Sequence, residues 1–147
     1  MPTYTVTSAN LALTARQEAG IAAAITSSHH EATGAPAFFA QVIFNEIAAG
    51  KHYIGGKAYP VPHLFVHGLI RAGRSAEAKA TLIKDIAVKV QTIAGIAAED
   101  IWIYVQDIPA TQMIEFGRIL PEPGAEEAWR KAMSARKFDD LKNIGAI

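Results

Sequence analysis

Pro2 directly follows the initiator methionine. Once that methionine is trimmed, the chain begins with a secondary amine on a rigid ring, and a free α-amino group titrates near ~8. An apolar pocket lowers that value, while neighbouring carboxylates raise it. With Met1 retained, Pro2 is an amide and this chemistry is absent. Arg71 and Arg74 lie three residues apart, just before Ser75. Two guanidinium forks beside the free amides of a helix start suit a small carboxylate. Glu115 stands in the generally apolar segment 111–118, where it is either a partner for Arg118 or a general base that positions water.

The elements that must carry these residues form a repeat. Residues 14–47 and 75–108 correspond at an offset of 61, the spacing from Gly34 to Gly95. Thr14-Ala15 and Ser75-Ala76 read as helix N-cap pairs. Ile21 and Ile25 match Leu82 and Ile86, one apolar stripe in each helix. Gly34 and Gly95 mark the helix ends. Segments 40–44 and 101–105 are strands, and the leading strand 2–8 matches 63–69. Strand, helix and strand in that order imply a parallel pair with a right-handed crossover. Two fused β-α-β units, 2–47 and 63–108, therefore predict an α/β (α+β) four-stranded sheet with both helices on one face. Residues 1–147 are expected to make a single domain, with 109–147 as a C-terminal extension and a peripheral tail from Ser134. The uncovered sheet face, with Phe65, Trp102 and Tyr104, is expected to be apolar and to call for an oligomeric partner.

Differences between the two units single out residues for function. His29 lies one turn after Ile25, where the second unit has Val90, so it is either a packed core histidine or a donor facing a polar pocket. Arg71 and Arg74 stand opposite Asn10 and Leu13. Tyr104, opposite Ile43, reads from pattern alone as a sheet-face aromatic. Residues 48–62 form a Gly- and Pro-rich connection, with a short hairpin expected at Gly55-Gly56.

Composition narrows the remaining classes. The chain has 147 residues, half of them hydrophobic, with 14 Lys+Arg against 14 Asp+Glu. That neutrality gives no electrostatic case for nucleic acid or an anionic membrane. The absence of cysteine excludes disulfides and thiolate chemistry. No apolar run is long enough for a membrane span, and no secretory signal opens the chain, so a cytoplasmic protein is expected. The five histidines make no H-E-x-x-H pattern, and glycine-rich nucleotide loops are lacking, so neither metal nor cofactor is expected.

Three segments carry a family likeness: 65–75 (FVHGLIRAGRS), 101–104 (IWIY) and 108–118 (IPATQMIEFGR). With Pro2 and the Ile25-to-His29 segment, the chain resembles the tautomerase superfamily, and within it the cis-3-chloroacrylic acid dehalogenase family. The resemblance covers nearly the whole chain and implies a homotrimer. It assigns functional roles to Pro2, His29, Arg71, Arg74, Tyr104 and Glu115. Arg71, Arg74 and His29 would bind the carboxylate of a 3-haloacrylate. Glu115 and Tyr104 would activate water, and protonated Pro2 would act as the acid, giving malonate semialdehyde. Phe39 stands where the dehalogenase has leucine, and Phe116 where it has tyrosine; the loop over 50–60 also differs. Hydration of acetylenic acids and keto–enol tautomerisation therefore stay open beside dehalogenation, as does a non-catalytic signalling trimer.

Overall fold

The computed structural model describes residues 2–146. Its first unit runs β1 (Thr3–Ala9), α1 (Ala15–Thr33), β2 (Gln41–Ile47) and a small hairpin of β3 (Tyr53–Ile54) and β4 (Lys57–Ala58). The second runs β5 (His63–Arg71), α2 (Ala76–Ala94), β6 (Ile101–Ile108) and a hairpin of β7 (Ile114–Glu115) and β8 (Arg118–Ile119). Two short helices follow, α3 (Glu126–Lys131) and α4 (Ala135–Asn143). The main sheet has the order β2-β1-β5-β6. Strands within each unit pair parallel, and β1 meets β5 antiparallel.

Local chemistry sets the helix limits. Thr14 caps α1 through a capping box with Gln17, and Ser75 caps α2 by accepting from the Ala78 amide. Both helices stop at a glycine in the left-handed region, Gly34 at φ 69° and Gly95 at φ 70°. Their apolar stripes pack on the alternate residues Tyr4, Val6, Leu64, Val66 and Ile70. Burial of each such side chain is worth about 1.5–3 kcal/mol.

The repeat continues past Ile108, where the sequence spacing had placed its end. The hairpins at 53–58 and 114–119 correspond, and both turn through two consecutive positive-φ residues, Gly55-Gly56 and Phe116-Gly117. Glu115 is therefore the counterpart of Ile54 and belongs to the second unit. The leading strands match one residue further along than expected. Thr3 pairs with Gln41 as Phe65 pairs with Trp102, so Thr3 corresponds to Phe65 and Tyr4 to Val66. The turn before α2 is one residue shorter than the turn before α1. The counterpart of Arg71 is accordingly Ala9 rather than Asn10. A slip of one would have put every side chain on the wrong face.

Two further expectations change. The uncovered sheet face is mixed rather than apolar: Thr3, Thr5, Thr7 and His67 share it with Ile43, Phe65, Trp102 and Tyr104. The C-terminal segment is not peripheral. Phe138 and Leu141 of α4 pack against a second core of Phe39, Ala110, Leu120, Trp129 and Met133. That second core caps the end of the sheet where β1 begins and β5 ends.

Candidate active site

Pro2, His29, Phe39, Arg71 and Arg74 line one small cavity together with Ala35, Leu120, Pro121 and Glu126. Each residue arrives there for a local reason. Pro2 is buried just before β1, and its carbonyl accepts from the Gln41 amide at 3.0 Å. His29 comes from the inward face of α1. Arg71 ends β5 and Arg74 lies in the turn before α2. Phe39 closes the 3-10 turn Ala37–Phe39 ahead of β2. Leu120, Pro121 and Glu126 come from the segment that follows the second hairpin.

Arg71 is 8% exposed and already held from within. Its Nη1 donates to the Pro121 carbonyl at 2.6 Å, and its Nη2 pairs with the Glu126 carboxylate. Its Nε–H is buried without a partner among the described residues. Arg74 donates one Nη1 bond to the Thr33 carbonyl at 2.8 Å, at the C-terminal end of α1. The Glu126 carboxylate accepts also from the Gly124 amide at 2.8 Å. Burial alone would raise its pKa, but the Arg71 and backbone hydrogen bonds prevail and hold it below the ordinary range. Glu126 thus cancels much of the Arg71 charge at the cavity wall.

His29 is lowered to about 4, first by burial and then by the charge of Arg74, with a smaller effect from Arg71. It is therefore a neutral imidazole at neutral pH. Its Nδ1 lies 2.8 Å from the Tyr4 hydroxyl.

Glu115 lines a larger groove of about 950 Å³ beside the cavity, with Thr3, Phe38, Gln41, Met113 and Phe116. Phe39 lines both spaces and forms the wall between them. Burial raises the Glu115 carboxyl above its usual range, and the amino-terminal charge of the chain acts in the opposite direction. A carboxyl raised toward the working pH is a better base for water.

Tyr104 is not brought to these residues. It is 57% exposed on the uncovered face of β6, with its ring against Phe65. Pro2 lies on the helix-covered side, two residues before Tyr4. Tyr104 pairs with His67, which pairs with Thr5, two strands over and three residues along from Pro2. Standard sheet spacings put the two Cα atoms about 14 Å apart, on opposite faces.

Sequence reasoning missed Tyr4 and Glu126. A period-2 signal existed for Tyr4, which shares a strand face with Pro2 opposite the His29 helix. No local signal linked Glu126 to an arginine earlier in the chain. Among the described residues no group of three His, Asp or Glu side chains is arranged to hold a metal ion. No helix of the described residues is long and apolar enough to cross a membrane.

Residues 1–134 match the family model described as "Putative oxalocrotonate tautomerase enzyme". The chain belongs to this tautomerase family. Its fold superposes at a TM-score of 0.86 on the crystal structure of N1, a member of the cis-3-chloroacrylic acid dehalogenase family. That match has 34% identity and covers 96% of this chain and 99% of N1. A fused 4-OT solved as a symmetric trimer matches at TM-score 0.73 and 24% identity, covering 80% of this chain and 94% of its own. MIF2 of Leishmania major matches at 0.64 and 18%, over 77% of this chain and 93% of its own. These last two likenesses are of fold. No curated protein sequence matches the chain.

Proposed function

We propose that this tautomerase-family protein adds water to small unsaturated carboxylates without a cofactor, with cis-3-chloroacrylate as the leading substrate. The observation that carries the reading is the single cavity lined by Pro2, His29, Arg71 and Arg74, with Glu115 in the adjoining groove. The likeness to N1 supports the same reaction class.

In this reading the substrate carboxylate binds among Arg74, His29 and the unused Nε–H of Arg71. The reacting alkene extends past Phe39 toward Glu115. The cavity itself has only about 20 Å³ of free space, room for one water, so Phe39 must yield toward the groove for a three-carbon acid to enter. Glu115 takes a proton from water, and the oxygen attacks C3. The alkene electron pair moves toward C2 and the carboxylate, which the arginines stabilise. The Pro2 ammonium then protonates C2. The resulting halohydrin expels halide as its hydroxyl proton leaves, giving malonate semialdehyde. Removal of Met1 is a condition of the scheme, because only a free amine can carry that proton.

The scheme needs a homotrimer or similar assembly to supply Tyr104. Its exposure on the uncovered sheet face suits delivery into the cavity of a second copy, where it would help Glu115 orient water.

A second reading turns on the charge of Pro2. Its burial and Arg74 favour the neutral amine, whereas Glu115 and Glu126 favour the ammonium. A neutral Pro2 would act as a base for keto–enol tautomerisation, the activity after which the family is described.

The test is halide release from cis-3-chloroacrylate by protein whose mass shows loss of Met1, with the trans isomer and phenylpyruvate enol alongside. Chloride from the cis isomer supports the hydrolytic reading. Enol turnover without chloride replaces it with the tautomerase.

A further inference from the structure

Tyr4 and His29 make a buried polar pair that the fold does not need. The equivalent places in the second unit are filled by Val66 and Val90, both fully buried in the same core. The scaffold therefore packs this place with two aliphatic side chains where no chemistry is required. In the first unit it spends a phenol and an imidazole there.

The pair is held rigidly. Tyr4 has no exposed surface. Its ring lies against Gly68, where even a Cβ would come within 2.5 Å of Cε1. It meets the His29 ring edge-on, with centroids 5.9 Å apart and planes at 71°. The hydroxyl sits 2.8 Å from Nδ1 and makes no other hydrogen bond among the described residues.

That bond can be filled in two ways. If the imidazole donated, the phenolic proton would be buried with no acceptor, a costly state. If the phenol donates, both groups are satisfied. We propose that Tyr4 is the positioning residue for His29: its phenol donates to Nδ1 and holds the ring as the Nε2–H tautomer, leaving that N–H for the cavity of Arg71 and Arg74.

The charge states agree with this assignment. Burial raises the Tyr4 hydroxyl well above the usual phenol range, so it keeps its proton. Burial first, then the charge of Arg74, the amino-terminal charge of the chain and, more weakly, Arg71 and His30 keep the ring neutral near pH 7. A neutral ring carries one N–H, and fixing it on Nε2 decides that His29 is a donor to the cavity rather than an acceptor. An anion would then meet a third donor without a third positive charge.

The tautomer follows from the geometry alone, whereas its use on a substrate carboxylate rests on the function proposed above. Nitrogen-15 NMR of histidine-labelled protein separates the two, with His29 assigned by its loss in His29→Asn. The expected spectrum shows a protonated Nε2 and an unprotonated Nδ1. Tyr4→Phe keeps the packing and removes the donor; it should give a mixed or reversed tautomer and raise KM for cis-3-chloroacrylate about ten-fold, with kcat less affected. Titration with acrylate, a non-reacting carboxylate, should perturb the Nε2 signal even if no halide is released. An Nδ1–H tautomer in the unmodified protein overturns the proposal, whether or not the variant folds. A Tyr4→Phe protein with lowered Tm but unchanged tautomer also overturns it, since that is the mark of packing alone.

Discussion

The Glu126 carboxylate pairs with Arg71 across the gap between the first turn of α3 and the end of β5. The pair joins the main sheet to the C-terminal segment and sets the charge at the cavity wall. Both side chains are largely buried, at 8% and 18% exposure. Loss of one partner leaves the other poorly compensated, at a cost of about 3 kcal/mol.

Glu126→Ala should therefore lower stability by about 2–3 kcal/mol, read as a fall in the urea midpoint. Glu126→Gln keeps the shape and removes the charge. Because the folded pKa of Glu126 is depressed, its contribution is present above the ordinary value of 4.5 and is lost as pH falls through the folded value. The Gln variant should lack that part of the acid-induced loss. Superimposable acid limbs for the two proteins would refute the assignment.

His29 governs a higher pH window. Its folded value of about 4 lies below the ordinary 6.5. Between those values the unfolded chain binds the proton and the folded one does not, so stability is full above about pH 6.5 and falls as pH approaches 4. The difference corresponds to at most about 3 kcal/mol. His29→Gln should flatten the stability profile between pH 6.5 and 4. Part of the slope will survive, because burial also lowers His63. An unchanged profile would mean that His29 is charged in the folded protein.

Much of this frame was legible from residue pattern. Thr14, Ser75, Gly34 and Gly95 bound the helices because caps and left-handed stops are local chemistry. The register of β5 was not legible, because a turn shortened by one residue leaves no mark on composition yet moves every side chain to the other face. The same shift hid the match of Tyr4 to Val66, although that of His29 to Val90 was plain from the spacing of the helices. Tyr104 was legible as a residue of the uncovered face, but its distance from Pro2 was not, because that depends on register. The link between Arg71 and Glu126 depends on where the C-terminal segment folds back, which no periodicity records.

Phe39 separates the arginine cavity from the groove of Glu115, so its size should control access. Its ring packs on Phe38 at 4.1 Å and Trp129 at 5.6 Å between centroids. Phe39→Leu should cost about 1–2 kcal/mol of stability through lost packing. In exchange, kcat/KM for cis-3-chloroacrylate should rise several-fold as the two spaces join. A destabilised variant with unchanged or lower kcat/KM would remove Phe39 from the access route.

Tyr104 offers a test of how the site is completed. Within one chain it faces away from Pro2, so in the proposed assembly each site takes Arg71 from one copy and Tyr104 from another. Arg71→Ala and Tyr104→Phe should each be impaired alone. Equal amounts of the two, unfolded together and refolded, should then give mixed assemblies. Random mixing leaves about a quarter of the sites with both native residues, so activity should recover to about that fraction. Trp102, 43% exposed on the same face, supplies the companion experiment. Trp102→Glu buries a charge in any interface formed there and should shift the sedimentation profile toward monomer. Recovery absent from the mixture, with assembly intact by sedimentation, would show that Tyr104 serves no neighbouring site.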